Sequence, residues 1–235
     1  MKNLIRSFLT ALALPALGAL AIAGCGSSSP SGNGVAGKTP EQILQATKAA
    51  AASAASVHIA GSIVSGGKPI SLNMELVAGK GGKGTIAQEG FSIDLVQVAG
   101  SVYINGSDAF YKHVAGSAAA QLLHGKWLKA PAGSGELASL SELTNLSKLI
   151  DAALASHGTL SKGDQTTVDG QKAVGLKDTT KGGTLYVATT GKPYPLEIVK
   201  SGAEGGKVVF DHWDRPVTLS APANAIDISK LQSGQ

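Results

Sequence analysis

The sequence predicts an α+β domain: one antiparallel sheet of about eleven strands, curled but incompletely closed, wrapped over helices. Three observations predict it. Apolar residues recur with period two in two blocks, 56–113 and 159–213. Turns such as Gly66 to Pro69, Glu89-Gly90, Asn105 to Asp108 and Val168-Asp169-Gly170 separate these segments by only a few residues, which forces neighbouring strands to run antiparallel. Between the blocks, residues 140–156 carry an apolar stripe wider than a surface helix needs.

The chain opens with Lys2 and Arg6 ahead of an uncharged run, Ser7 to Ala23, rich in Leu and Ala. This is the pattern of a secretory signal over residues 1–24. It ends in Leu20-Ala21-Ile22-Ala23-Gly24-Cys25, a lipobox pattern in which Cys25 is the lipidation site. Cys25 is the sole cysteine, so no intrachain disulfide accounts for a thiol in an exported protein. The expected location is extracytoplasmic, held to the cell membrane by acyl chains that each contribute about 0.8 kcal/mol per buried methylene. From Cys25 to Lys38 the chain is Gly/Ser-rich without apolar periodicity and reads as a tether, its ends roughly 20 Å apart. A single domain, 39–235, follows.

Thr39, Pro40 and Gln42 form a helix-start signature, and Ile43, Leu44, Thr47, Ala50, Ala51 and Ala54 share one face of a helix over 40–55. Strand segments follow: Val57 to Ile63 and Ile70 to Leu76, then Gly84 to Gln88, Phe91 to Val98, Ser101 to Asn105 and Ala109 to His113. Ala115 to Leu123 reads as a short helix, and Ser139 with Glu142 as the capping box of the helix over 140–156. The second block supplies Thr159 to Gly163, Gln171 to Lys177, Gly183 to Ala188, Pro195 to Lys200 and Lys207 to Trp213. So many sequential strands must curl or split into two sheets. The apolar insertion favours a curled sheet whose concave face it covers.

Composition excludes some classes. Removing Lys2 and Arg6 from a net charge of +4 leaves +2, with no basic run interleaved with aromatics, so a nucleic-acid partner is not expected. Gly79 to Thr85 lacks the Lys that a phosphate loop places before its hydroxyl residue and reads as a hairpin turn. His58, His113, His124, His157 and His212 have no metal-ligand spacing, and no Gly-x-Ser-x-Gly elbow is present, so neither a metal, a cofactor nor an enzymatic activity is expected. His212 and Asp214 read as a hydrogen-bonded strand end with Trp213 on its other face.

Over roughly 40–230 the sequence resembles the LolA-like lipoproteins of actinobacteria, the LppX/LprG type. The likeness is carried by the Ala-rich first helix leading into SVHIAGSI, by GSVYINGSDAFYKHVAG followed by GKWLKAP, and by VDGQKAVGLKD, GGTLYVATTGKPYPLEIVKSG and FDHWDRPVTLSAPANAIDI. The resemblance implies a half-barrel over helices, enclosing a cavity for the acyl chains of lipids or lipoglycans moved through the envelope, in a monomer served by an envelope transporter. The candidate ligand-contacting residues are the apolar set on one strand face and the insertion helix: Ile59, Leu72, Met74, Leu76, Ile93, Leu95, Val102, Ile104, Leu146, Leu149 and Ile150. Core packing is the competing assignment for each. With four Phe, four Tyr and two Trp, small side chains either leave room for a ligand or close around a small dry core. The alternative to a lipid carrier is therefore an envelope interaction module with a filled interior.

Overall fold

The computed structural model describes residues 32–133 and 138–229. The leader and Cys25 lie outside the described residues. Helix α1 spans Pro40–Ala52. The Thr39 hydroxyl accepts from Gln42 N at 3.3 Å while Gln42 Oε1 accepts from Thr39 N at 3.2 Å, which satisfies two otherwise unpaired donors at the helix start. Five strands follow: β1 (Ser56–Ser65), β2 (Lys68–Val77), β3 (Gly81–Gln88), β4 (Phe91–Val98) and β5 (Ser101–Gly106). After helix α2 (Asp108–Leu123) comes β6 (Leu128–Pro131), then helices α3 (Ala138–Glu142) and α4 (Leu146–Ala155). The chain returns through β7 (Leu160–Val168), β8 (Gln171–Asp178), β9 (Thr184–Ala188), β10 (Pro195–Lys200), β11 (Gly206–Asp211) and β12 (Ile226–Asp227).

Among the described residues these twelve strands form one sheet in the order β12-β6-β5-β4-β3-β2-β1-β11-β10-β9-β8-β7, which does not close on itself. All neighbours are antiparallel except β12 and β6. Hairpin turns explain the tight meander. At Glu89-Gly90, Ala99-Gly100 and Asp169-Gly170 both residues have positive φ, the conformation whose twist matches that of the flanking strands. One face of the sheet is the concave core. Val57, Ile59, Met74, Leu76, Leu95, Val102, Val174, Leu176, Val187 and Phe210 pack there against Ile43, Leu44 and Ala51 of α1 and Leu146, Ile150 and Leu154 of α4.

Several elements differ from the sequence expectation. Ala109 to His113, expected as a strand, is the start of α2, because the Asn-Gly-Ser-Asp reversal is also a helix cap. Ser107 Oγ accepts from Phe110 N at 3.3 Å, and Asp108 stands in the first turn. Tyr111 turns inward, and its buried hydroxyl accepts from Gly106 N at 3.0 Å. The single helix over 140–156 is two, broken at Leu143–Asn145, where Asn145 Oδ1 caps α4 by accepting from Lys148 N at 3.1 Å. Ser139 therefore sits inside α3 rather than at a cap.

Part of the segment expected as a tether, from Gly32 to Lys38, packs on the domain. Gly32 bridges to Thr190, and Asn33 Nδ2 donates to Ala188 O and Gly191 O at 3.0 and 3.1 Å. Val35 is only 1% exposed, so apolar burial at this one residue draws the segment from Gly32 onward into the domain. Strand β12 was not foreseen. To reach β6, the chain leaving β11 crosses the sheet's outer face, where Lys83 Nζ donates to Thr218 O at 3.3 Å.

Candidate functional site

The eleven predicted ligand contacts come together in one cluster. Ile59, Met74, Leu76, Leu95, Val102, Ile104, Leu146 and Ile150 are buried, and Leu72, Ile93 and Leu149 pack against them partly exposed. They occupy the half of the concave face formed by β1, β2, β4 and β5 under α4. Their side chains fill the interior of that half, and an opening at its edge is bordered by Val77, Gln97, Val98 and Leu146.

The other half is not filled. Between the C-terminal end of α4 and the inner faces of β7 to β10 lies a cleft of about 230 Å³. Register explains its wall. Leu176 stands opposite Leu185 across β8 and β9, and Leu185 stands opposite Ile198 across β9 and β10, so three aliphatic side chains form a row. Leu154 and Ala153 of α4, Leu44 of α1 and Leu160 of β7 complete the apolar lining. None of the eleven predicted contacts lines it. The signal that could have located it was present in the second strand block as the same period-two alternation, and in Ala153 and Leu154 at the end of the predicted stripe.

The mouth of the cleft is polar and basic, with His157, Asp178, Lys181 and Lys200. Asp178 organises it. Its carboxylate accepts from Lys181 N at 2.7 Å, Gly158 N at 2.8 Å and Thr180 N at 2.9 Å, and these bonds hold its carboxyl below the usual range. The carboxylate is thereby committed to the turn, while the two lysines border the opening. Such a site offers hydrophobic burial inside and cations at the rim.

The expected strand end at His212 and Asp214 is built differently. Strand β11 stops at Asp211, and both His212 and Asp214 adopt left-handed backbone conformations, φ 51° and 58°. Asp214 accepts from Tyr194 Oη at 2.6 Å, from Lys192 Nζ at 2.9 Å and from Ala55 N at 2.8 Å, which lowers its carboxyl to about 2. Trp213 stacks on Tyr194 with ring centroids 4.3 Å apart, and its indole N–H donates to Pro195 O at 3.1 Å. Asp214 and Trp213 thus lock the β10 and β11 ends to the start of β1. His212 faces elsewhere, toward His58, whose rings' centroids are 5.6 Å apart. Burial of His58 works against its charge, but hydrogen bonds to Asn73 and Asp211 outweigh it and raise its pKa.

No protein-family model matches the chain, and no curated protein matches it in sequence. Solved structures do match in fold. The crystal structure of LprF from Mycobacterium bovis superposes with a TM-score of 0.54 at 13% identity, covering 79% of this chain and 97% of that one. The lipoprotein LppX of Mycobacterium tuberculosis gives a TM-score of 0.50 at 14% identity, covering 77% and 98%. No helix among the described residues is long and apolar enough to cross a membrane. The open sheet wrapped over α1 and α4 is accordingly the LolA-like fold shared by the mycobacterial lipoproteins LprF and LppX.

Proposed function

We propose that this chain is a non-enzymatic, lipid-anchored extracytoplasmic protein that shelters the acyl part of an anionic lipid or lipoglycan in the cleft under β7 to β10. The observation that carries the reading is the pairing of an aliphatic wall with a basic rim: Leu176, Leu185 and Ile198 inside, Lys181 and Lys200 at the opening. Acyl methylenes gain from burial against the first, and an anionic headgroup gains from the second. Leu72, Ile93 and the nine other predicted contacts form the packed floor that a longer chain would have to displace.

Lipidation at Cys25 sets the orientation. Six residues, and so seven Cα steps, separate Cys25 from Gly32, which the Thr190 bridge pins, so the leash extends at most about 25 Å. Thr190 and the Gly182–Gly183 rim lie at opposite ends of β9, roughly 20 Å apart at about 3.3 Å per residue. The pinned residue and the mouth thus lie at opposite ends of β9, and a leash short of full extension turns the mouth toward an envelope partner that delivers or receives the lipid.

The test is direct. Full-length protein purified in mild detergent from an actinobacterial host is analysed by native mass spectrometry for bound lipid, and titrated with a fluorescent fatty-acyl probe. One acyl lipid per chain, with probe uptake lost in Ala153→Trp, which places an indole in the cleft, is the expected result. Absence of both bound lipid and uptake would leave the filled interaction module as the correct reading.

A further inference from the structure

The outer face of the sheet carries a cluster that acyl binding does not use. His58 on β1 stands in register with Asp211 on β11 and with Glu75 on β2. Its Nδ1 lies 2.7 Å from Asp211 Oδ1, and its Nε2 lies 2.9 Å from Asn73 Oδ1. Strand alternation would send the residue after Asp211 to the opposite face. The left-handed turn at His212 breaks that alternation and brings its Nδ1 to 3.5 Å from the same Asp211 oxygen. One donor atom from each of the three residues now lies within 4.8 Å of the others.

We propose that His58, Asp211 and His212 form a binding site for one divalent transition-metal ion of the zinc class. Two imidazole nitrogens and one carboxylate oxygen are a donor set suited to zinc and its neighbours rather than to magnesium or calcium. Zinc bonds of about 2.0–2.2 Å place adjacent tetrahedral donors roughly 3.3–3.5 Å apart. The Asp211–His212 pair is already at 3.5 Å. The His58–Asp211 pair, at 2.7 Å, opens by well under 1 Å when the ion replaces the shared proton.

Two further features fit a metal ligand better than a simple ion pair. His58 keeps its second ring nitrogen on Asn73 Oδ1, the outer hydrogen bond that fixes tautomer and ring orientation in metal-bound histidines. A shallow cleft reaches both rings from solvent and is bordered by Asn73, Glu75 and Lys83. It gives the ion an entry path and leaves its fourth position to water. Lys83 is held by Glu75 at 3.0 Å, so its charge is balanced before it reaches the site. Elsewhere in the molecule, His124 and Asp108 pair at 2.7 Å on the surface as a single histidine with a single carboxylate. That pair is an internal control for the bland alternative.

The experiment uses the full-length protein in detergent, stripped with a chelator and titrated with Zn²⁺ by calorimetry and with Co²⁺ by visible absorption. One ion per chain is expected, with the intense visible band of tetrahedral cobalt. His212→Asn suits the left-handed turn and should weaken Zn²⁺ binding by about tenfold or more, as should Asp211→Asn. His124→Asn should leave it unchanged. Unchanged circular dichroism shows that the variants fold. Wild-type affinity no higher than that of His212→Asn, or an equal loss in His124→Asn, overturns the site.

Discussion

The length of chain that the cleft accepts follows from its volume. About 230 Å³ at roughly 30 Å³ per water-sized group holds about eight methylenes. Each contributes about 0.8 kcal/mol on burial, which is roughly a fourfold gain in affinity per methylene. In a series of saturated fatty acids from about six to about sixteen carbons, Kd should fall by about that factor per methylene up to about eight buried groups and then level off. Beyond that point the chain meets Leu146 and Ile150, which are 3% and 2% exposed and packed against the sheet. Calorimetric titration of the full-length protein, below the critical micelle concentration of each acid, measures the series. A fall in Kd that continues undiminished to the longest acid would refute the argument that the β1–β5 half of the core is closed. A flat series would refute hydrophobic burial in the cleft altogether. Leu185→Ala, which enlarges the cleft, should move the levelling point to a longer chain.

Three perturbations test the framework around the cleft, and one tests the anchor. Asp214 has its carboxyl at about 2 in the folded protein, below its ordinary 3.8, so its contribution is complete above about pH 4 and is lost as pH falls through about 2. With its side chain 36% exposed, that contribution is discounted for screening to about 1 kcal/mol, and acid-induced unfolding of Asp214→Asn followed by circular dichroism should lack this component. Ile150→Ala removes a buried side chain between α4 and the sheet and should cost about 2–5 kcal/mol in urea unfolding; a loss under about 1 kcal/mol would mean the site collapses to fill the void. Gly81→Ala should destabilise by about 2 kcal/mol or more, because its φ is 110° and an added Cβ would sit 2.2 Å from Gln97 O; a melting temperature equal to that of the wild type would contradict the register of β3 and β4. Cys25→Ser should remove the diacylglyceryl mass and move the protein from the membrane to the soluble fraction.

Local signals in the sequence carried much of this fold. Thr39-Pro40 with Gln42 announced α1 because capping is settled within four residues, and the Glu89-Gly90 and Asp169-Gly170 dipeptides announced hairpins because their own backbone preferences make the turn. Period-two alternation likewise assigned Ile59, Met74 and Leu95 to the concave face. Where one local signal serves two structures, as Asn105 to Asp108 serves both a reversal and a helix cap, only packing chose: the inward turn of Tyr111 settled it for α2.

Tertiary structure alone decided the rest. The parallel pairing of β12 with β6 joins residues about a hundred positions apart and leaves no local trace. Which half of an aliphatic interior stays open depends on where the ten residues of α4 end relative to β7 and β8, a sum of volumes that apolar pattern does not encode. Equally, His58 and His212 stand 154 positions apart, and their meeting depends on antiparallel register between β1 and β11 together with one left-handed residue. Sequence by itself determined most of the strands and the apolar face. Contact between distant strands determined the cleft and the histidine cluster, because a site is a coincidence of registers and period gives only the face.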